Sequence, residues 1–229
     1  MWIVYRARPL TIQELQHALA VQTGTSDFDN DALVDEEVLI SVCLGIVAVE
    51  PESGLVRLIH YTAKEYLFKH PIQEPLDAGT EMAKTCLTYL GYDEFSTGFC
   101  EDHKQLAARL EKYPFYWYAA RWWGVHVQNI KDLEVLTQAL RFLVDKPRLR
   151  AAGEVMYNFD DGLCRYFPRD FGGLHIAARF GLRWLPQWLL EKTTIDFNSQ
   201  DEYGQTALSV AARWGAYCLF LGLPLEESF

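Results

Sequence analysis

The run Ile46-Val47-Ala48-Val49-Glu50-Pro51-Glu52-Ser53-Gly54-Leu55-Val56-Arg57-Leu58-Ile59-His60-Tyr61-Thr62-Ala63-Lys64-Glu65 decides the fold of the first third of the chain. Ile46 to Val49 and Leu55 to Ile59 are β-branched and aliphatic. The segment between them has the Pro, Ser and Gly of a turn, so the pattern predicts a β-hairpin. Thr62, followed three residues on by Glu65, carries a capping-box signature and opens a helix through about Lys69. Upstream, Thr11 and Glu14 form the same signature for a first helix, with Ile12, Leu15 and Leu19 on one face. Gln22 to Asp31 reads as an acidic loop. A second helix starts near Asp35, with Val38, Leu39, Val42 and Cys43 inward. Asp35, Glu36 and Glu37 complement its N-terminal dipole. Helix, helix, hairpin, helix is the arrangement of a small winged-helix unit, placed at 1–75.

From about Asp77 to Val144 the pattern is helical, and residues 76–146 are expected to form a helical connector. Met82, Cys86, Tyr89 and Leu90 mark one helix, and Leu106 with Leu110 another. Tyr116 to Val127 carries Trp117, Trp122 and Trp123. Leu133, Leu136, Leu140 and Leu143 recur at helical spacing. Residues 147–169 are weakly patterned and are expected to be a linker. Residues 170–229 contain an internal repeat: Gly172-Gly173-Leu174-His175-Ile176-Ala177-Ala178-Arg179-Phe180-Gly181 aligns with Thr206-Ala207-Leu208-Ser209-Val210-Ala211-Ala212-Arg213-Trp214-Gly215. This resembles the ankyrin repeat, with its period of about 33 residues and its T-P-L-H turn. Gly172-Gly173 replaces Thr-Pro in the first unit, and Ala207 replaces Pro in the second. About one and a half units are present, so a truncated array is expected. The fold class is mainly α, with one small hairpin.

Composition narrows the function. The formal net charge is −10, and half of the residues are apolar. No Lys or Arg lies between Arg8 and Arg57, which disfavours a phosphate-backbone binder and hence a winged-helix nucleic-acid reading. The five cysteines are scattered and never paired as CxxC, the usage of a reduced, cytoplasmic protein. The apolar runs Ile40–Val49 and Trp214–Leu225 are too short to span a membrane.

Several stretches further resemble the region C-terminal to the NTPase core of fungal NACHT–ankyrin proteins, which are members of the STAND, or NLR-like, class. They are Trp2-Ile3, Arg8 to Leu15, Asp35-Glu36-Glu37, Ser41 to Val47, Arg57 to Tyr66, Thr85 to Leu90 and Tyr118 to Arg121. The resemblance covers roughly residues 2 to 124. It implies a winged helix that packs on a nucleotide-binding NACHT domain and an ankyrin arm that meets effectors. It also implies that His60, ahead of Tyr61-Thr62-Ala63-Lys64-Glu65-Tyr66, contacts nucleotide phosphate when a NACHT domain is supplied. Read from this chain alone, His60 packs at a strand end. No G-x-x-x-x-G-K-[ST] cradle occurs, so the chain is expected to be a fragment, a truncated product or a degenerate paralogue.

Other candidates read as structural. Asp27-Phe28-Asp29-Asn30-Asp31 opens like a calcium loop, but Ala32 and Val38 stand where Gly and a bidentate Glu are needed. Cys100 and His103 have metal-like spacing without a second pair, and Asp160-Asp161-Gly162 reads as a turn. Trp117, Trp122 and Trp123 read as a buried helix, Trp184 and Trp188 as packing on the connector, and His175 as a turn residue. The expectation is a protein-binding regulatory module with no catalytic residue, no metal and no cofactor of its own. The alternative is a remnant without independent function.

Overall fold

Local chemistry starts the first helix where the sequence places it. Thr11 Oγ1 accepts from Glu14 N at 3.2 Å and Glu14 Oε2 accepts from Thr11 N at 2.9 Å, closing a capping box on α1 (Ile12–Ala20). The computed structural model describes residues 1–70, 75–157, 171–182, 196 and 198–213, with Pro75, Leu76 and Tyr157 described in backbone only. The buried face of α1 centres on Glu14 and Ala18, and Leu19 is solvent-exposed instead of lying inward with Leu15. The reason is the Glu14 carboxylate, which is drawn inward by Arg8 and turns the helix about its axis.

The next helix, α2 (Glu36–Ser41), corrects a second expectation. Leu39 and Cys43 are half-buried, whereas Val38 and Val42 face solvent. The hairpin forms as read: β1 (Val47–Val49) pairs antiparallel with β2 (Val56–Leu58), Val47 opposite Leu58 and Val49 opposite Val56. Val47 and Val56 are buried and Ala48 and Arg57 exposed, the alternation of a one-sided sheet. Residues Leu10 and Thr11 extend it, with Val56 N donating to Leu10 O at 2.8 Å and Ile12 N to Gly54 O at 2.9 Å. In α3 (Tyr61–Lys69) the expected Thr62–Glu65 box is replaced by a His60 cap. The imidazole Nδ1 accepts from Thr62 N at 3.3 Å and meets the Thr62 hydroxyl at 2.7 Å, so the helix begins two residues earlier than the box requires.

The connector is a set of packed helices: α4 (Pro75–Leu90), α5 (His103–Lys112), α6 (Phe115–Val127), α7 (Leu133–Val144) and α8 (Lys146–Tyr157). Its centre is the α4–α6 contact, with α8 on the other side of α6. Helix α8 corrects the linker reading over 147–157, because Leu149, Ala151, Ala152, Val155 and Met156 are buried. Pro147 and Gly153 masked its period, yet Pro is compatible with a first helical turn. Residues 158–169, with the Asp160–Gly162 turn, lie outside the described residues. In α7 the buried face is Val135, Ala139, Leu140, Phe142 and Leu143, so Leu140 and Leu143 lie inward as expected, and Leu133 is exposed. Among the described residues no helix is long and apolar enough to cross a membrane.

The repeated segments form α9 (Gly173–Phe180) and α10 (Ala207–Arg213), which pack on each other. Ala177, Ala178 and Ala211 are fully buried, as close helix stacking requires. Asp201 accepts from Tyr203 N and Gln205 N, each at 2.9 Å, and Gly204 sits at φ 72, so a tight turn precedes α10. Trp184, Trp188 and residues 214–229 lie outside the described residues. One cluster of buried side chains runs from Trp2 to Ala211 and joins winged-helix unit, connector and repeat.

Two histidines, the buried His17 and the half-buried His126, give this core a pH dependence. His17 stacks on Phe28 at 4.3 Å and meets the Tyr89 hydroxyl at 2.9 Å. His126 Nε2 meets the Tyr118 hydroxyl at 2.9 Å. Burial pushes both pKa values down to about 4 from 6.5. The folded state therefore holds both rings neutral where the unfolded chain would protonate them. Their contribution is intact above pH 6.5 and is lost as pH falls towards 4. Urea unfolding in that window should take up about one proton for each histidine. His17→Gln should remove about half of this linkage, and a flat stability between these pH values contradicts it.

Candidate functional site

The hairpin and the N-terminal segment gather cations that are distant in sequence. Arg6 is carried by a segment pinned to α6, where Trp2 meets Phe115 edge-on at 5.3 Å and Ala7 N donates to the Tyr118 hydroxyl at 3.0 Å. Arg57 projects from the exposed side of β2. His60 caps α3, and Lys64 lies one turn along it. A cleft of about 410 Å³ opens between them, lined by Arg6, Arg8, Arg57, His60 and Lys64 together with Ile3, Val4, Ala7, Pro9, Leu58 and Tyr61. Among the described residues no carboxylate lines it, in a chain with 31 acidic residues against 21 Lys and Arg.

The cations are not equally committed. Arg8 is spent: it forms a bidentate pair with the buried Glu14 and stacks over Trp117 at 4.3 Å. Arg6 donates to the main-chain carbonyls of Ile3 and Val56, the latter at 3.0 Å, and has no carboxylate partner among the described residues. Burial pushes the Arg6 guanidinium down from its ordinary pKa; Tyr118 opposes this and the Arg57 charge adds to it. Arg57 reaches Glu50 at 3.3 Å in an exposed pair of small energetic weight. Lys64 Nζ sits 5.7 Å over the Phe68 ring. His60, the residue singled out in the sequence, lies on the rim with its Nδ1 occupied by the helix cap and its ring stacked on Tyr61 at 4.9 Å.

A second feature of the same unit is apolar. Neither α2 nor α3 buries any residue. Val38, Val42, Ile46, Ile59, Tyr61, Tyr66 and Phe68 are all solvent-exposed, and Leu44, at 86% exposure, holds a left-handed φ of 48°. A non-glycine residue in that region carries a conformational cost. Asp35, Glu36 and Glu37 border this face, so it is acidic as well as apolar.

The remaining candidates are structural in this fold. Asp29 Oδ1 accepts from Asp31 N at 2.9 Å and caps a 3-10 turn, Asn30–Ala32. Cys100 is buried, with its N–H on Glu154 at 3.0 Å, and burial pushes its thiol up to about 11. Trp123 is fully buried between Phe142 and Phe180, whereas Trp117 is half-buried between Arg8 and Arg121. His175 accepts from Gly172 N through Nδ1 at 3.3 Å and donates from Nε2 to Gln205 O at 2.9 Å, which ties the two repeat segments together. The sequence reading missed Arg6, Arg57 and Lys64. The signal that could have found Arg57 and Lys64 is their place at three residues before and four after His60.

Residues 1–89 match the family profile for the winged helix domain of GPI inositol-deacylase. Over 147 residues the chain is 29% identical to the azaphilone pigments biosynthesis cluster protein L of Monascus ruber, covering 57% of this chain and 30% of that protein. The chain thus spans less than a third of this curated relative. No solved structure matches it. The N-terminal part is therefore similar to a winged-helix domain, in keeping with its small antiparallel sheet among helices.

Proposed function

We propose that the chain is a non-enzymatic regulatory and protein-binding module of the STAND, NACHT–ankyrin type, acting in the cytoplasm. The observation that carries this reading is the pair of winged-helix helices, α2 and α3, that bury nothing and leave aliphatic and aromatic side chains in solvent. An amphipathic helix gains its stability from covering such a face, and exposed apolar area of this kind marks an interaction site. The occupant is a protein, with a NACHT NTPase domain on a separate chain or a separate segment as the first choice. The acidic border disfavours nucleic acid.

In this reading His60 meets nucleotide phosphate only across such an interface, and the chain needs no cofactor of its own. The α9–α10 pair, with its buried alanines, its His175–Gln205 link and the Asp201–Gly204 turn, supports an ankyrin-type arm as a second protein-binding element.

Isothermal titration of the whole chain against a purified NACHT NTPase domain tests the proposal. Leu44→Asp with Tyr66→Asp should abolish binding while changing stability by less than about 0.5 kcal/mol, since both sites are exposed. Unaltered binding in that variant removes the assigned face. ATP hydrolysis by the isolated chain that survives purification and His60→Ala removes the non-enzymatic reading.

A further inference from the structure

We propose that the cleft between the N-terminal segment, β2 and α3 binds a phosphoryl-bearing anion by itself, with Arg6, Arg57 and Lys64 as its cationic contacts. The inference concerns the same winged-helix unit as the proposed function but a different surface, and it needs no NTPase domain.

Like charges gather at a cost that grows as they leave water. Here Arg6, Arg57 and Lys64 converge on one cleft with no acidic side chain among the described residues of its lining. Acids outnumber Lys and Arg across the chain, so this local excess runs against the composition. Arg6 is held by main-chain carbonyls, which fix its guanidinium without cancelling its charge. Arg57 exchanges a weak exposed pair for a stronger charge-assisted contact at little cost. Lys64 has no ion pair among the described residues.

The volume, about 410 Å³, suits a compact group such as a diphosphate or a sugar phosphate. Guanidinium forks match phosphate geometry, and an ammonium adds a point charge. A duplex or a long single strand is disfavoured by the cation-free stretch between Arg8 and Arg57, which borders the same unit. The shared ligand chemistry is therefore a small phosphoryl anion, free or on a lipid headgroup.

The test is calorimetric titration of the full chain with pyrophosphate at low ionic strength. ADP and phosphatidylcholine vesicles carrying a phosphatidylinositol phosphate form parallel arms. Saturable pyrophosphate binding is expected, weakened by at least about tenfold, or 1.4 kcal/mol, in Arg57→Gln/Lys64→Gln. Lys104→Gln, an exposed cation of α5 outside the cleft lining, should stay within about twofold of the parent chain.

Vesicle binding that pyrophosphate displaces assigns the headgroup source; pyrophosphate or ADP binding without vesicle binding assigns the free anion. Either supports the site. Absence of saturable binding in all arms overturns it. So does equal competition by sulfate at matched ionic strength, which marks a diffuse counterion effect, or vesicle binding that survives the double variant. A comparable loss in Lys104→Gln overturns the assignment of these cations. A chain that binds pyrophosphate but no NTPase domain sinks the proposed function and leaves this site standing; the reverse result does the opposite.

Discussion

Glu14→Gln should lower the unfolding free energy by about 3 kcal/mol, the low end of what breaking a buried ion pair costs. Two tasks meet on the Glu14 carboxylate. One oxygen accepts from Thr11 N at 2.9 Å and both accept from Arg8, at 2.8 Å and 2.5 Å. Glutamine is isosteric and keeps an oxygen for Thr11, so the helix cap survives. It loses the charge that balances Arg8, and it turns an amide N–H₂ towards a group that only donates. The Arg8 guanidinium is then left over Trp117 in partly buried surroundings without its counter-ion.

A double-mutant cycle separates the two tasks. Arg8→Met with Glu14→Gln should recover part of the loss, because the uncompensated charge is gone, and the coupling energy should be positive and above about 1 kcal/mol. Additive losses in the cycle, read by urea unfolding at pH 7, mean that the pair is not the source of the effect. The result bears on function, because Arg8 holds the segment that carries Arg6 into the cleft.

This pair also shows what is legible in a sequence. The Thr11–Glu14 box was readable because both partners lie within one turn, and the hairpin because its two runs flank a short turn. The face of α1 was not, since Glu14 is an inward residue only by virtue of Arg8. The α3 cap was misplaced for a related reason. Thr62 carries the preferred capping chemistry, but the chain leaves β2 in an extended conformation at His60, and the imidazole reaches Thr62 N first. Helix α8 hid behind Pro147, Arg148, Arg150 and Gly153, which blur a period that burial alone reveals.

The cleft was the least legible feature. Arg6 is some fifty residues from Arg57, and they are neighbours because Leu10 and Thr11 run beside the hairpin and Arg6 donates to the Val56 carbonyl. Neither propensity nor motif encodes that proximity. Conversely, inward packing is the default for apolar positions such as Val38 and Val42, and a helix period alone does not show that α2 buries none of its residues.

Gly173→Ala is expected to destabilise the C-terminal repeat at the upper end of the roughly 1–3 kcal/mol that overpacking costs. Helix propensity alone predicts the opposite sign, since Ala is the better helix former by about 1 kcal/mol. The difference lies in what a Cβ would meet. At Gly173 it would lie 2.3 Å from the Leu143 carbonyl oxygen and 3.2 Å from Leu143 Cβ, at the contact of α7 with α9. A backbone carbonyl at a helix end cannot swing aside as a side-chain tip can. At Gly172 the nearest atom is His175 Nδ1 at 3.8 Å, and the backbone there is ordinary extended chain.

Gly172→Ala should therefore be close to neutral and serves as the control. The contrast gives a physical reason for the departure at this turn from the Thr-Pro of the motif it resembles: a proline ring at position 173 would occupy the space that Leu143 fills. Hydrogen exchange over residues 171–182 should rise in Gly173→Ala and not in Gly172→Ala, with the winged-helix unit unchanged in both. If Gly173→Ala matches or exceeds the parent in thermal stability, the close approach of α9 to α7 is not a feature of the folded protein, and the repeat does not dock on the connector in the way its buried Phe180 and Trp123 require.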